Sequence, residues 1–184
     1  MAYGCALLLG RNKENTEYRS LLRDYKGEKI VEHYYDFHAE YESTRLFQDP
    51  YHMLEFIVTF HYLKKHLPKK GKVLDCGCGS GNYAIVLAGM GYRVALVDIS
   101  QRLLDIAVEK FRRTGRLDRL ISVVKTSSTN LSMFRDELFD AALCLGPLYH
   151  LPRKDDQIKT VRELRRVLKP VSYTHLTLPT TERV

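Results

Sequence analysis

Two aspartates and three closely spaced glycines are the residues whose types and spacing best fit a ligand-binding turn. Asp75 ends a short apolar run, and Gly77, Gly79 and Gly81 follow it at every second position. Because glycine has no Cβ, the main chain can bend sharply at these positions and a ligand can lie directly against it. A second apolar run ends at Asp98. Two carboxylates beside such a turn favour a ligand that carries positive charge.

The residues around the glycines predict a strand, a turn, a helix and a second strand. We expect the helix over residues 82–90, ended by Gly91 in the left-handed conformation, and the second strand over residues 93–97. The free N–H groups at the start of that helix would point back at the glycine turn. In an open α/β sheet, ligands bind beyond the carboxyl ends of the strands. The two aspartates and the glycines should therefore meet in one crevice.

The stretch Asp75-Cys76-Gly77-Cys78-Gly79-Ser80-Gly81, with the later Asp98, resembles the cofactor site of the class I S-adenosylmethionine-dependent methyltransferases. The resemblance implies an α/β fold with a Rossmann-like, doubly wound sheet, and S-adenosyl-L-methionine as the cofactor. It also implies that Asp98 bonds the ribose and that Ile99 lies along the adenine. The cofactor contacts implied by this segment are those of Asp75, Gly77, Cys78, Gly79, Gly81, Asp98 and Ile99.

A dinucleotide site is the competing interpretation of the same residues. The stretch from Gly79 to Ala84 fits the pattern G-x-G-x-x-A, which is a weak signal by itself. Charge separates the two interpretations, because Asp75 at the mouth of the turn would repel a pyrophosphate. The same carboxylate would attract the sulfonium and ammonium groups of S-adenosylmethionine. A nicotinamide-dependent dehydrogenase remains the alternative that binding of NAD would establish.

A helix rich in aromatic residues is predicted from residue 28 onward. Its Y-Y-D-x-x-A-x-Y pattern resembles the lid before the core of many small-molecule methyltransferases, which implies that Tyr35 and Tyr41 cover the cationic cofactor. The alternative is that these rings only pack the helix onto the sheet. A second helix over residues 51–67, N-capped by Asp49, should lie sandwiched between the sheet and the first helix. Arg45 is predicted either to pair with the cofactor's carboxylate or to be an ordinary surface residue.

The segment after the third predicted strand, residues 120–124, departs from the family. An aspartate commonly follows this strand there and accepts a hydrogen bond from the adenine amino group. Residues 126–130 read Thr-Ser-Ser-Thr-Asn and hold no carboxylate. Ser127 is therefore the residue that we expect to contact the adenine.

The fourth predicted strand, residues 139–145, leads into the stretch Gly-Pro-Leu-Tyr-His-Leu. This stretch resembles the loop that borders the methyl group in many small-molecule methyltransferases, which implies a cofactor contact for Leu145 and an acceptor pocket shaped by Tyr149. His150 is the catalytic candidate, because a histidine ordinarily titrates near neutral pH and can take a proton from the acceptor. The alternative is that His150 packs against or caps the next helix. The loop lacks the N-P-P-Y pattern of enzymes that methylate base amino groups, which favours a small-molecule acceptor.

The charge of the chain bears on whether nucleic acid is an expected partner. The formal charge is +7 and the pI is near 9.2, but the basic residues are spread along helix faces, so nucleic acid is not the expected partner. An RNA methyltransferase stays as an alternative.

No apolar run is long enough to cross a bilayer and no signal peptide is recognisable, so we expect a cytoplasmic protein with reduced cysteines. The spacing of Cys76 and Cys78 is not that of a metal site, and no metal is expected.

One methyltransferase domain is predicted over residues 28–170, with the helical lid at 28–67. Residues 1–27 form an extension that we expect to be partly disordered. The family continues with further strands, whereas residues 171–184 resemble the translated end of a transposon used in sequencing libraries. We therefore expect a non-native tail on a chain truncated at its C-terminus, poorly soluble or inactive as it stands; the alternative is a true fifth strand. A cofactor-binding module without transfer activity is the second functional hypothesis.

Overall fold

A parallel five-stranded sheet is the centre of the protein. The computed structural model describes residues 27–176, with side chains up to residue 170. The strand order is β3-β2-β1-β4-β5, and every neighbouring pair is parallel. The order reverses between β1 and β4, which opens a crevice at the carboxyl ends of the strands. The strands are β1 (Lys72–Cys76), β2 (Arg93–Asp98), β3 (Leu120–Lys125), β4 (Phe139–Cys144) and β5 (Leu168–Leu176).

The helices cover both faces of this sheet and form a lid in front of it. The lid comprises α1 (Glu28–Phe37), α2 (Ala39–Thr44), a 3₁₀ turn (Arg45–Phe47) and α3 (Pro50–His66). The helices between and after the strands are α4 (Asn82–Gly89), α5 (Gln101–Arg113), the short α6 (Pro147–His150) and α7 (Lys154–Val167), with a second 3₁₀ turn at Leu117–Arg119. The predicted doubly wound α/β fold is confirmed.

Alternate residues of the strands face two separate apolar layers. Val73 of β1 packs in one layer with Leu87 of α4 and Phe111 of α5. Its neighbour Leu74 packs in the other layer with Phe139 and Leu164. Successive side chains of a strand point to opposite faces, and a parallel sheet covered by helices on both faces needs apolar residues at both. This is why the strands carry nearly unbroken apolar runs.

Local capping fixes the elements beside the crevice. Ser100 Oγ accepts a hydrogen bond from Leu103 N at 3.1 Å and so begins α5. Asp49 Oδ1 accepts from His52 N at 3.0 Å and begins α3. Such caps satisfy N–H groups that a helix leaves unpaired at its start. Gly91, two residues after the end of α4, has the positive φ predicted for it, at +97°.

The prediction that α3 is sandwiched between the sheet and the first helix is wrong. Leu63 is the buried residue of α3, whereas Tyr51, Leu54 and Ile57 are more than half exposed. The reason is that α1 does not lie over α3. It lies against α5 instead, where Asp36 accepts a hydrogen bond from Ser100 Oγ at 2.5 Å.

The backbone of residues 168–176 forms β5, in parallel register with β4. This is the geometry expected if the segment is a true fifth strand, and whether residues 171–184 are native stays a prediction. The limits of the domain at 28–170 also stay a prediction. The expected disorder of residues 1–27 falls almost wholly outside the described residues. Among the described helices, none is both long and apolar enough to cross a bilayer.

Candidate functional site

A cavity of about 780 Å³ lies at the carboxyl ends of β1, β2 and β4, and α1 and α3 close it from the front. Eleven of the thirteen predicted site residues line this cavity. They are Tyr35, Asp75, Gly77, Cys78, Gly79, Asp98, Ile99, Ser127, Leu145, Tyr149 and His150.

The glycine turn forms the floor of the cavity. Gly77 N and Cys78 N donate to Val97 O at 2.7 and 3.0 Å, which ties the turn to β2. Gly77 has φ +75°, and a Cβ there would lie 2.4 Å from Pro147 Cγ in the loop after β4. Gly79 has φ +52°, and a Cβ there would meet no atom within 4 Å. The turn thus packs tightly against the β4 loop at one glycine and leaves open space for a ligand at the other.

Asp75 is a buried carboxylate with one oxygen unused. Its side chain is 3% exposed, and among the described residues no group bonds its Oδ2 atom. Burial, and secondarily the nearby Asp98 carboxylate, raise the pKa of Asp75 to about 7. A buried polar atom without a partner is costly. A positively charged donor in the cavity would supply the missing bond.

Asp98 is held in one orientation by the main chain. Its Oδ2 accepts from Gly79 N at 2.8 Å and its Oδ1 accepts from Ser100 N at 2.9 Å. Burial raises the pKa of Asp98, while these backbone hydrogen bonds act in the opposite direction. A carboxylate has about four lone-pair sites, so two of them remain for ligand hydroxyls.

The opposite wall joins the lid to the β4 loop through Tyr35 and His150. The Tyr35 hydroxyl and His150 Nε2 are 2.7 Å apart, and the two rings meet edge to face. Burial lowers the pKa of His150 to about 4. The expectation of a histidine that titrates near neutral pH is therefore not supported, because burial disfavours the charged imidazolium and moves its pKa well below neutral pH. Tyr149 lies beside it, with ring centroids 4.3 Å apart.

Two predicted contacts are not in the cavity wall. Tyr41 is 49% exposed and is absent from the described lining residues. The turn at His38 between α1 and α2 separates it from Tyr35. Gly81 is the N-cap of α4 with φ +72° and packs against Ala107 of α5. Its contribution is to begin the helix behind the turn.

The cavity wall also includes residues that the sequence leaves undecided or does not assign. Arg45 lines the cavity but is paired with Glu42 at 3.2 Å and Glu55 at 3.1 Å, so it is not a free partner for a carboxylate. The α3 face at Tyr51, Leu54 and Val58 forms an apolar side of the cavity. The signal for that face was present, because apolar residues of α3 occupy more than one helical stripe. Glu28, at the start of α1, also lines the cavity.

A half-buried lysine connects the lid to the turn. Lys110 Nζ donates to Asn82 Oδ1 at 2.6 Å, Ser80 Oγ at 2.9 Å and Ser43 O at 3.2 Å. Burial lowers its pKa to about 8. Ser43 belongs to α2, Ser80 lies within the glycine turn and Asn82 begins α4, so Lys110 holds the lid at that end of the cavity.

The thiols beside the turn do not form a metal site with other described residues. Across residues 27–176, no group of three His, Cys, Asp or Glu side chains is placed to hold an ion. Cys76 and Cys144 are buried free thiols on the adjacent strands β1 and β4. The pKa of Cys76 is raised by its hydrogen bond with Cys144 and by burial, which keeps it an unreactive thiol.

Comparison with known proteins identifies the family. The profile of the family described as methyltransferase domain matches residues 73–171. A putative methyltransferase of Bacillus subtilis, YqeM, is 34% identical over 110 residues, which cover 59% of this chain and 42% of that protein. The glycine/sarcosine N-methyltransferase of Aphanothece halophytica is 36% identical over 108 residues, which cover 58% of this chain and 39% of that protein. The chain thus spans about two fifths of the length of these curated relatives.

Solved structures share the fold. The [4+2]-cyclase SpnF superposes with a TM-score of 0.72 over 83% of this chain and 60% of that one. Its sequence is 20% identical, so this likeness concerns the fold alone.

The unpaired Asp75 carboxylate and the open space above Gly79 fit the ammonium group and main body of S-adenosylmethionine. The matched profile covers more than half of the chain and includes the whole glycine turn. The chain therefore belongs to the methyltransferase domain family, as a class I S-adenosylmethionine-dependent member.

Proposed function

We propose that the protein transfers the methyl group of S-adenosylmethionine to a small-molecule acceptor. The observation that carries this proposal is the buried Asp75 carboxylate, which belongs to a residue of the cavity wall and whose Oδ2 atom is unpaired among the described residues. In its ionised form this carboxylate attracts a cationic ligand and repels a pyrophosphate, and a bound cation favours that form. The same observation therefore disfavours a nicotinamide dinucleotide as the cofactor.

The residues that would hold the cofactor line the cavity at the strand ends. Asp75 would bind the ammonium group, Asp98 the ribose hydroxyls, and Ile99 would lie along the adenine. Gly79 leaves space for the ligand, and Tyr35 covers it from the lid. When bound, the cofactor supplies a methyl group already activated by positive sulfur. The protein's own contribution is to orient the acceptor and exclude water.

Proton transfer is not assigned to His150 as a strong base. Its pKa of about 4 and its contact with the Tyr35 hydroxyl fit a positioning role. Tyr149 and His150 would orient the acceptor at the end of β4. This arrangement suits an acceptor that is itself a nucleophile, because direct displacement then needs little help from a base.

The shape of the front wall supports a small organic acceptor. Tyr51, Leu54 and Val58 give one apolar side, and the Arg45 cluster with its two glutamates gives a polar side. Mostly apolar pockets with a few placed polar groups are typical of small-molecule sites. Among the relatives, the Aphanothece protein bears the name of an enzyme that acts on glycine and sarcosine.

Calorimetric titration with S-adenosylmethionine tests the cofactor half of this proposal. We expect binding by the unaltered protein and a loss of about 100-fold or more in affinity for Asp75→Asn, because a charge-assisted hydrogen bond is removed. Asp105→Asn, at an exposed carboxylate of α5, is the matched control and should bind normally. Failure of the folded protein to bind, or binding of NAD in its place, would contradict the assignment.

Release of S-adenosylhomocysteine during incubation with small nucleophiles tests the transfer half. We expect release with at least one amine, alcohol or thiol acceptor, and none in its absence. Such release would contradict the expectation from the sequence that the chain is inactive as it stands. Binding of the cofactor without transfer to any acceptor in a broad set would favour a cofactor-binding module without activity.

A further inference from the structure

Three carboxylates of α1 are spaced four residues apart and each bonds a residue at the end of a strand. Asp36 accepts from Ser100 Oγ, just beyond β2, at 2.5 Å. Glu32 pairs with Lys125, the last residue of β3, at 2.7 Å. Glu28 accepts from Ser127 Oγ, two residues beyond β3, at 2.5 Å. Residues at this spacing share one helix face. This face of α1 therefore bonds residues at the ends of β2 and β3, and Glu28 makes the contact beyond β3.

Of these three acids, only Glu28 lines the cavity. The other described carboxylates of the wall are paired or lie elsewhere in the cavity. Glu42 and Glu55 pair with Arg45, and Asp75 and Asp98 lie at the glycine turn. No ion pair among the described residues involves Glu28, and none of them donates to its Oε2 atom.

Ser127, the residue expected to contact adenine, has no hydrogen-bonding capacity left for a ligand. A hydroxyl has one donor and two acceptor sites. Its proton goes to Glu28, because a carboxylate can only accept. Its oxygen accepts from Thr129 N at 3.1 Å, and Thr129 Oγ1 lies 2.9 Å away as the second donor. Glu28 Oε2 is thus the free acceptor at this end of the described wall.

We propose that Glu28, carried by the lid, accepts a hydrogen bond from the exocyclic amino group of the adenine. The inference rests on the proposed function. Ser127 is then a positioning residue that holds the Glu28 carboxylate through Oε1 and leaves Oε2 for the base. The carboxylate that residues 126–130 lack is thus supplied by α1. The same Glu28 side chain binds the adenine and bonds the lid to Ser127.

The test compares S-adenosylhomocysteine with its analogue that lacks the 6-amino group, by calorimetry on the full chain. We expect the unaltered protein to prefer the amino ligand about fivefold to tenfold, the effect of one exposed hydrogen bond to a carboxylate. Glu28→Ala should bring this preference close to one, by weakening the amino ligand while leaving the analogue nearly unchanged. Glu28→Gln, which keeps an acceptor without the charge, should give an intermediate preference.

Glu32→Gln is the matched control, because it removes a carboxylate of the same helix that bonds Lys125 and does not line the cavity. It should retain the full preference even if both affinities fall. The inference is overturned if Glu28→Ala and Glu28→Gln, shown folded by their melts, keep the preference or weaken both ligands equally. If the unaltered protein binds neither ligand, the proposed function fails and this inference with it.

Discussion

The glycine turn and the helical lid line the same cavity but rest on different kinds of contact. The turn is fixed by the main chain, through the hydrogen bonds of Gly77 and Cys78 to Val97 and a close approach to Pro147. The lid is fixed by side chains, such as Asp36 on Ser100 and Glu32 on Lys125. The turn is therefore part of the folded core, whereas α1, the first lid helix, has no buried residue and is attached by polar contacts that are partly exposed.

This difference has a consequence for ligand binding. Asp75 is buried with the core and keeps its place whether or not a ligand is present, so the cost of its burial is already met during folding. The lid contacts are individually weak, because exposed hydrogen bonds and ion pairs contribute little net stability. We infer that the turn supplies a rigid binding surface and that the lid supplies adjustable contacts, of which Glu28 is the example proposed above.

The largest expected effect lies at the turn. Gly77→Ala places a Cβ 2.4 Å from Pro147 Cγ at a φ of +75°, so both a clash and a strained backbone oppose folding. We expect a loss of about 3–5 kcal/mol in the free energy of unfolding, measured by urea titration. Gly115→Ala is the control, since φ is +65° there and no atom lies within 4 Å. It should lose only about 1–2 kcal/mol. Equal losses for the two variants would show that the turn is not packed as tightly as the geometry indicates.

The glycine turn and the lid also differ in how much of their structure can be predicted from the sequence alone. The strands, the glycine turn, Asp75 and Asp98 follow from patterns within about thirty consecutive residues, because backbone conformation and capping are local. They lie where the sequence predicts.

The lid depends on contacts between residues far apart in the chain, and here sequence reasoning was incomplete. The Glu28–Ser127 bond spans 99 residues, and the Tyr35–His150 contact spans 115. Nothing local indicates that Tyr41 turns away from the cavity, or that burial against the lid lowers the pKa of His150. The exposed face of α3 was misplaced for the same reason, because its apolar residues do not specify which partner covers them.

The second prediction concerns the cost of burying Asp75. Its pKa is about 7 in the folded state, against about 3.8 for the unperturbed group. The folded state therefore binds more protons than the unfolded chain between these values, and its contribution to stability falls as pH rises through this window. Between pH 5 and pH 8 we expect the free energy of unfolding of the unaltered protein to fall by about 2–3 kcal/mol through this group. The Asp75→Asn variant should not show this decrease.

Urea titrations of both proteins at several pH values measure this effect. Asp75→Asn should be the more stable protein at pH 8, although it binds the cofactor poorly. Parallel pH profiles for the two proteins would show that Asp75 is solvated or paired in solution. The proposed contrast between a rigid turn with a buried, unpaired carboxylate and an adjustable lid would then be contradicted.

The smallest effect is expected in the lid, at Glu32→Gln. The Glu32 and Lys125 side chains are 33% and 44% exposed, so water and salt screen their attraction and holding both side chains in place costs entropy. We expect a loss of less than about 0.5 kcal/mol in the free energy of unfolding, and no difference from the unaltered protein at 1 M salt. Comparison of this loss with that of Gly77→Ala shows how much less the α1 contact contributes to the free energy of unfolding than the packing of the glycine turn does. A loss of 2 kcal/mol or more would mean that α1 unfolds together with the sheet. In that case the lid could not adjust to the cofactor independently, and Glu28 would be a fixed part of the site like Asp75.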